Sequence, residues 1–295
     1  MFTLTLSGLP LIIAKSRAYF ELLKFRLSFL VAFSCVFGYM LASPAIDWQV
    51  LAMLFLGGFL LSGGSVILNQ IIEKDLDALM SRTMNRPLPT GRLSTREALL
   101  FAMICLVAGT TILQFYTNIL TTSLSVLSMV LYSFVYTPLK RVGPVAVFVG
   151  AIPGALPPLL GWTASTGTIS YEALIIFGIQ FIWQFPHFWA IAWVADEDYK
   201  KAGFKLLPSG GEKDLSTAIQ IMVYTMCLIP LGLLPASFGI TGINSAIVAT
   251  VCGVLFFAQT FSLMRSGDRK SALKIMFGSF LYLPIVQIAY LLDKI

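Results

Sequence analysis

Three oxygen-bearing side chains recur at helical spacing in this chain. Asn69, Glu73 and Asp77 stand at i, i+4 and i+8 within Asn69-Gln-Ile-Ile-Glu73-Lys-Asp75-Leu-Asp77. On a helix that spacing stacks all three along one face. Two acids at the end of an apolar helix repel each other and are costly to bury, and a divalent cation relieves both problems. Mg2+ takes oxygen ligands and typically bridges one or two carboxylates to substrate phosphates. Arg82 and Arg86 follow within Arg82-Thr-Met-Asn-Arg86-Pro-Leu, and a guanidinium grips phosphate oxygens bidentately. Acids, a metal and arginines together describe a diphosphate site. The plainer alternative is a solvated helix end beside topology-setting charges, a role that Arg92 and Arg96 already fill.

Two further constellations lie downstream. Tyr136-Thr-Pro-Leu-Lys140-Arg141 ends an apolar run. Its two cations suit the same diphosphate, or simply anchor a helix beside an interfacial tyrosine. Trp183-Gln184-Phe-Pro-His187-Phe-Trp189 lies inside another apolar run and holds the only histidine. An ionisable residue at membrane depth is a functional candidate by default. Imidazole can ligate haem iron or act as a base, while the plain reading is a core histidine bonded to a neighbouring helix. Asp196, Glu197, Asp198 and Tyr199 follow. Asp196 and Asp198 could join Asn69, Glu73 and Asp77 as metal ligands.

The elements that must carry these residues are membrane helices. The chain has 295 residues, 57% hydrophobic and 12% charged, where a soluble domain carries about 25% charged. A net charge of +6 raises the question of nucleic acid, but the basic residues fall in short segments between apolar runs. Nine such runs are long enough to span a bilayer: 25–43, 51–72, 98–116, 120–136, 144–162, 173–194, 218–234, 244–263 and 272–292. The fifth and seventh carry Pro153, Pro157, Pro158 and Pro230, tolerable only where neighbouring helices satisfy the freed backbone groups. Nineteen of the twenty Lys and Arg residues then fall on one face, with Lys294 alone opposite. The positive-inside rule makes that face, with the N-terminus, cytoplasmic. Two long polar loops, about 73–96 and 195–217, share it. Cys35, Cys105, Cys227 and Cys252 each lie in an apolar run and read as small buried hydrophobes. Residues 1–14 lack the basic lead of a cleavable signal, and no transit peptide is visible. A bacterial plasma (inner) membrane is therefore expected.

At these motifs the chain resembles the UbiA superfamily of intramembrane prenyltransferases. Asn69-x3-Glu73-x3-Asp77-x2-Met80-x-Arg82-Thr83-x2-Arg86-Pro87-Leu88 is similar to the first motif of its haem-farnesylating branch. Tyr136 to Arg141 is similar to the central loop, and Trp183 to Phe188 with Asp198-Tyr199-x2-Ala202-Gly203 to the second motif. The resemblance implies an all-α integral membrane fold, a nine-helix bundle forming a single polytopic domain over 1–295, family-like from about residue 24. It implies Mg2+-dependent transfer of farnesyl from farnesyl diphosphate to the 2-vinyl group of haem B, giving haem O. Asn69, Glu73, Asp77 and Asp198 would be catalytic. Arg82, Arg86, Lys140 and Arg141 would bind diphosphate, and His187, Trp183, Gln184 and Tyr136 are candidates for haem. A haem A synthase or terminal oxidase receiving the product is a family-level expectation. The sequence also departs from the pattern: Gln70 and Glu73 stand where many relatives have acids of an Asn-Asp-x-x-Asp motif, and Lys205 to Pro208 replaces a common Pro-Met-Leu-Pro, so that stretch receives no substrate contact. Prenylation of a quinone precursor or porphyrin is the nearest alternative. A transporter is the more distant one, and would place its ionisable groups along a path near the midplane.

Overall fold

A backbone crossing hydrocarbon must satisfy its own N–H and C=O groups, so each apolar run folds as a helix. The computed structural model describes residues 9–295, with side chains from Ile13 onward. The helices are α1 (Leu9–Leu22), α2 (Phe25–Ala42), α3 (Trp48–Ile72), α4 (Lys74–Asp77), α5 (Thr95–Tyr116), α6 (Ile119–Val130), α7 (Thr137–Leu139), α8 (Val145–Thr166), α9 (Tyr171–Val194), α10 (Asp196–Lys201), α11 (Leu215–Leu231), α12 (Leu234–Ser237), α13 (Ile243–Ser266) and α14 (Arg269–Leu292). A π-helical turn, Leu131–Tyr136, joins α6 to α7. Among the described residues nine helical stretches are long and apolar enough to cross a membrane. Each overlaps one expected span, and the fifth and seventh are helical as expected. Helix α1 precedes the first expected span. Its Ala18 and Leu22 are buried, and Lys15 pairs with Glu97 at 2.6 Å, tying α1 to the start of α5.

Side-chain caps start several helices. Asp47 accepts from the amides of Gln49 and Val50 ahead of α3. Ser94 and Glu97 form a reciprocal capping box on α5, and Asp268 caps α14 through the Ser271 amide. Each such cap contributes about 1 kcal/mol.

Helix contacts rest on small residues, as expected where lipid removes the hydrophobic drive between helices. A Cβ added to Gly161 of α8 would lie 1.8 Å from the Cys35 carbonyl oxygen of α2, and one on Gly38 1.9 Å from the Pro158 carbonyl oxygen. The two backbones therefore touch. The prolines of α8 leave carbonyls without their usual donors, and neighbouring helices supply two of them. Pro158 frees the Gly154 carbonyl, which accepts from Gln180 Nε2 of α9 at 2.8 Å. Pro157 frees the Pro153 carbonyl, which accepts a longer bond from Ser128 Oγ of α6 at 3.4 Å. Gln180 also joins Ser34 of α2 and Gln287 of α14 in a buried polar cluster with bonds of 3.1–3.2 Å. Outward faces carry exposed Leu100, Val107, Ile247 and Leu255, the surface a lipid-immersed bundle requires. All four cysteines are free, with Cys35 and Cys105 buried and the other two partly so.

Candidate active site

Helix α3 carries Asn69 to the polar end of the bundle and stops at Glu73. Helical bonds nevertheless continue across the break, from the Glu73 amide to the Asn69 carbonyl at 2.9 Å and from the Asp77 amide to the Glu73 carbonyl at 2.7 Å. Asn69, Glu73 and Asp77 consequently keep one face, as their spacing requires, and all three line a single cavity of about 90 Å³. One water needs roughly 10–15 Å³, so the cavity has room for several. Lys24, Arg82, Arg86, Lys140, Tyr132, Tyr136, Tyr199, Phe204 and Leu206 complete much of its wall. Four cations thus face two carboxylates, a surplus of positive charge that suits a polyanion.

The carboxylates are buried and held by cations. Arg86 Nη1 lies 2.5 Å from Asp77 Oδ2. Lys140 Nζ lies 2.9 Å from Glu73 Oε1 and donates to Oε2 at 3.1 Å. Glu73 Oε1 and Asp77 Oδ1 have no hydrogen-bond donor in line, and buried acceptors without donors are costly. Asn69 spends its Nδ2 on Thr137 Oγ1 at 3.0 Å, which leaves its oxygen available. Hard oxygen donors, with Asp77 Oδ1 unfilled and Glu73 Oε1 met only by the Lys140 ammonium, fit Mg2+. Among the described residues no three His, Cys, Asp or Glu side chains converge, and Mg2+ bound with a phosphorylated substrate does not need a third.

The π-turn shapes the opposite wall. A single π turn often marks a functional site, and here Thr137 Oγ1 bonds the Tyr132 carbonyl five residues back at 2.9 Å. Tyr132 and Tyr136 both face the cavity, with ring centroids 5.6 Å apart. Lys140 Nζ lies 4.8 Å from the Tyr136 centroid.

Lys24 was counted in the sequence only as a topology charge. It sits between α1 and α2 with φ 43°, a left-handed conformation that costs a non-glycine residue about 1 kcal/mol. Gln70 holds the turn by donating from Nε2 to the Leu22 carbonyl at 2.8 Å. Burial, together with Arg86 and Lys140 nearby, lowers the Lys24 pKa to about 7 against the pull of Asp77 and Glu73. Phe204 and Leu206 were missed as well. Leu206 belongs to the stretch expected to make no contact, yet it lines the cavity. No local pattern marks any of the three.

Other expected site residues lie elsewhere. Arg141 is exposed and outside the cavity wall. Asp196 pairs with Lys200 and Lys213, each at 3.3 Å. Asp198 accepts from the backbone amides of Ser81 and Arg82, both at 3.1 Å. Burial works against the Asp198 charge, but these bonds and Lys201 outweigh it and hold the carboxyl at about 2. Neither aspartate lines the cavity. Trp183, Gln184 and His187 lie in helix interfaces. Trp183 donates to the Ser279 carbonyl at 3.1 Å, and its ring stacks on His187 with centroids 4.4 Å apart. Gln184 packs against Gly154 of α8.

Fold and cavity define a multi-pass membrane protein with a cation-rich polar cavity. The model of the UbiA prenyltransferase family matches residues 31–283. A protoheme IX farnesyltransferase of Cytophaga hutchinsonii is 54% identical over 280 residues, covering 95% of this chain and 98% of that protein. One of Christiangramia forsetii is 44% identical, covering 93% and 92%. Among solved structures, digeranylgeranylglyceryl phosphate synthase superposes with a TM-score of 0.78 at 21% identity, covering 95% and 98%. A UbiA homologue of Archaeoglobus fulgidus bound to GPP and Mg2+ gives 0.63 at 17%, covering 92% and 99%. This chain belongs to the UbiA prenyltransferase family.

Proposed function

We propose that this chain transfers the farnesyl group of farnesyl diphosphate to the 2-vinyl group of haem B, releasing diphosphate and giving haem O. The observation that carries the reading is the gathering of Glu73, Asp77 and four cations around one cavity. It occurs in a chain 54% identical, nearly end to end, to a protein named protoheme IX farnesyltransferase.

Asn69, Glu73 and Asp77 would hold Mg2+, which would supply positive charge to the leaving diphosphate. Arg82, Arg86, Lys140 and Lys24 bind and orient that group. Arg86 and Lys140 now neutralise the two carboxylates, and substrate binding exchanges these partners, turning both cations toward phosphate oxygens. As the C1–O bond of the farnesyl group breaks, its electron pair leaves with the diphosphate, and the cations meet the growing charge where preorganised electrostatics acts most strongly. The rings of Tyr132 and Tyr136 face the electron-poor carbon and help exclude water. The vinyl group then bonds to C1, and one water adds to the vinyl carbon while a proton departs. His187 is the residue offered to the haem. The predominance of Lys and Arg on one face supports a site at the cytoplasmic side of a bacterial inner membrane.

The test is an assay of membranes with haem B, farnesyl diphosphate and Mg2+, with extracted haems read by mass spectrometry. A haem heavier by one farnesyl group and one hydroxyl group is expected. Unmodified haem alongside a prenylated phenol would overturn the acceptor.

A further inference from the structure

The two polar loops meet through one carboxylate. Asp198, in α10, sends Oδ1 to the Ser81 amide and Oδ2 to the Arg82 amide, both at 3.1 Å, across 117 and 116 residues of sequence. Lys201 Nζ reinforces the junction, lying 3.3 Å from Asp198 Oδ1 and 3.2 Å from Ser81 Oγ. A carboxylate that accepts from two successive amides grips a peptide in one orientation, and ionised acceptors make the stronger bonds. The gripped segment carries Arg82, whose guanidinium carbon sits 5.9 Å from the centroid of the Tyr199 ring, next in sequence to Asp198. Arg82 and Tyr199 both line the cavity, whereas Asp198 does not.

We infer that Asp198 is a positioning residue. Its carboxylate clamps the Ser81–Arg82 backbone onto α10 and so sets Arg82 at the cavity wall, with no part in holding the metal. The alternative makes Asp198 a metal ligand delivered by the second loop. Asp198 does not line the cavity, and reaching a metal there would pull its carboxylate off two main-chain donors, which cannot rotate with it as side chains can. The inference rests on the reading that the cavity takes a prenyl diphosphate, since Arg82 acts on that group.

The clamp is tested with Asp198→Ala and the milder Asp198→Asn in nanodiscs, measuring farnesyl transfer, its Mg2+ dependence and amide hydrogen exchange. For Asp198→Ala the KM for farnesyl diphosphate should rise about ten-fold, the effect of losing charge-assisted hydrogen bonds. The Mg2+ concentration giving half-maximal rate should stay within about two-fold, since losing a ligand or its support costs about 10–100-fold in metal affinity. Exchange of the Ser81 and Arg82 amides should quicken, with Asp198→Asn intermediate. In an Arg82→Ala background, adding Asp198→Ala should change KM by less than about two-fold, because coupled residues are not additive. A ten-fold or greater rise in Mg2+ requirement, unchanged amide exchange, or full additivity with Arg82→Ala would each overturn the clamp. If the wild type transfers no farnesyl group, the prenyltransferase reading fails separately, and amide exchange still decides for or against the clamp.

Discussion

The Ser279 hydroxyl of α14 lies 2.8 Å from His187 Nδ1 and 2.6 Å from the Met276 carbonyl oxygen. A hydroxyl has one proton to donate, and the carbonyl can only accept it. Toward His187 the Ser279 oxygen must therefore accept, which puts the imidazole proton on Nδ1 and leaves the Nε2 lone pair free. That tautomer suits an iron ligand or a proton acceptor. Ser279→Ala removes the partner that selects it, and haem affinity should fall about ten-fold, as when a ligand's supporting hydrogen bond is lost. Titration of the purified protein with haem B, followed by its Soret absorbance, measures this. Equal affinity in Ser279→Ala and His187→Ala proteins and the wild type would remove His187 from the haem site.

Asp77→Asn keeps the shape of the side chain but removes a buried charge from the cavity. Turnover should fall by at least about 100-fold, the scale seen when one electrostatic contributor to a transition state is lost. The variant should remain in the membrane at wild-type abundance. Mass spectrometry of product haem beside an immunoblot of membranes separates the two effects.

The Arg86–Asp77 pair makes a stability prediction. Breaking a buried pair from one side leaves an uncompensated charge and costs about 3–5 kcal/mol. Arg86 is itself 19% exposed, so the low end is expected for Arg86→Ala. Adding Asp77→Asn removes the stranded charge and should recover part of the loss. Thermal unfolding in detergent of the two single variants and the double variant closes the cycle.

Lys24 should give the enzyme a pH dependence. With its pKa lowered to about 7, it is charged on the acid side of neutrality and loses its proton as the pH rises. Diphosphate needs the charged form, so kcat/KM for farnesyl diphosphate should decline as pH climbs through 7. The groups around it are Arg86, Lys140, Asp77 and Glu73. Lys24→Arg keeps its charge over that range and should flatten the decline. An identical profile in both proteins would assign the titration elsewhere.

Helix contact predicts opposite outcomes at two glycines. Gly161→Ala forces α2 and α8 apart, because its Cβ would overlap the Cys35 carbonyl oxygen, and should destabilise by about 3 kcal/mol, the upper end for overpacking. Gly178→Ala in α9 meets nothing within 4 Å and should be neutral or stabilising by up to about 1 kcal/mol. Melting temperatures in one detergent compare them directly.

Helix existence and the acidic face of the site are legible in the sequence because both depend on local spacing. An apolar run must become a helix in lipid, and Asn69, Glu73 and Asp77 share a face on any helix. The placement of Arg82 and Arg86 beside those acids also follows, since few residues separate them. By contrast, Lys24 lies 45 residues before Asn69 in the chain and carries no motif. Asp198 has the spacing and acidity of a ligand, and only its partners show another use.

The sequence by itself determined the membrane class, the nine spans and the shared face of Asn69, Glu73 and Asp77, because periodicity and charge act over a few residues. The tertiary structure decided which charges enter the cavity, because that depends on how separate helices and loops converge. Gln70 fastens the turn that presents Lys24, the π-turn presents Tyr132 and Tyr136, and the Asp198 junction holds Arg82 in place. Each joins groups through space by side-chain or backbone geometry that spacing along the chain does not encode.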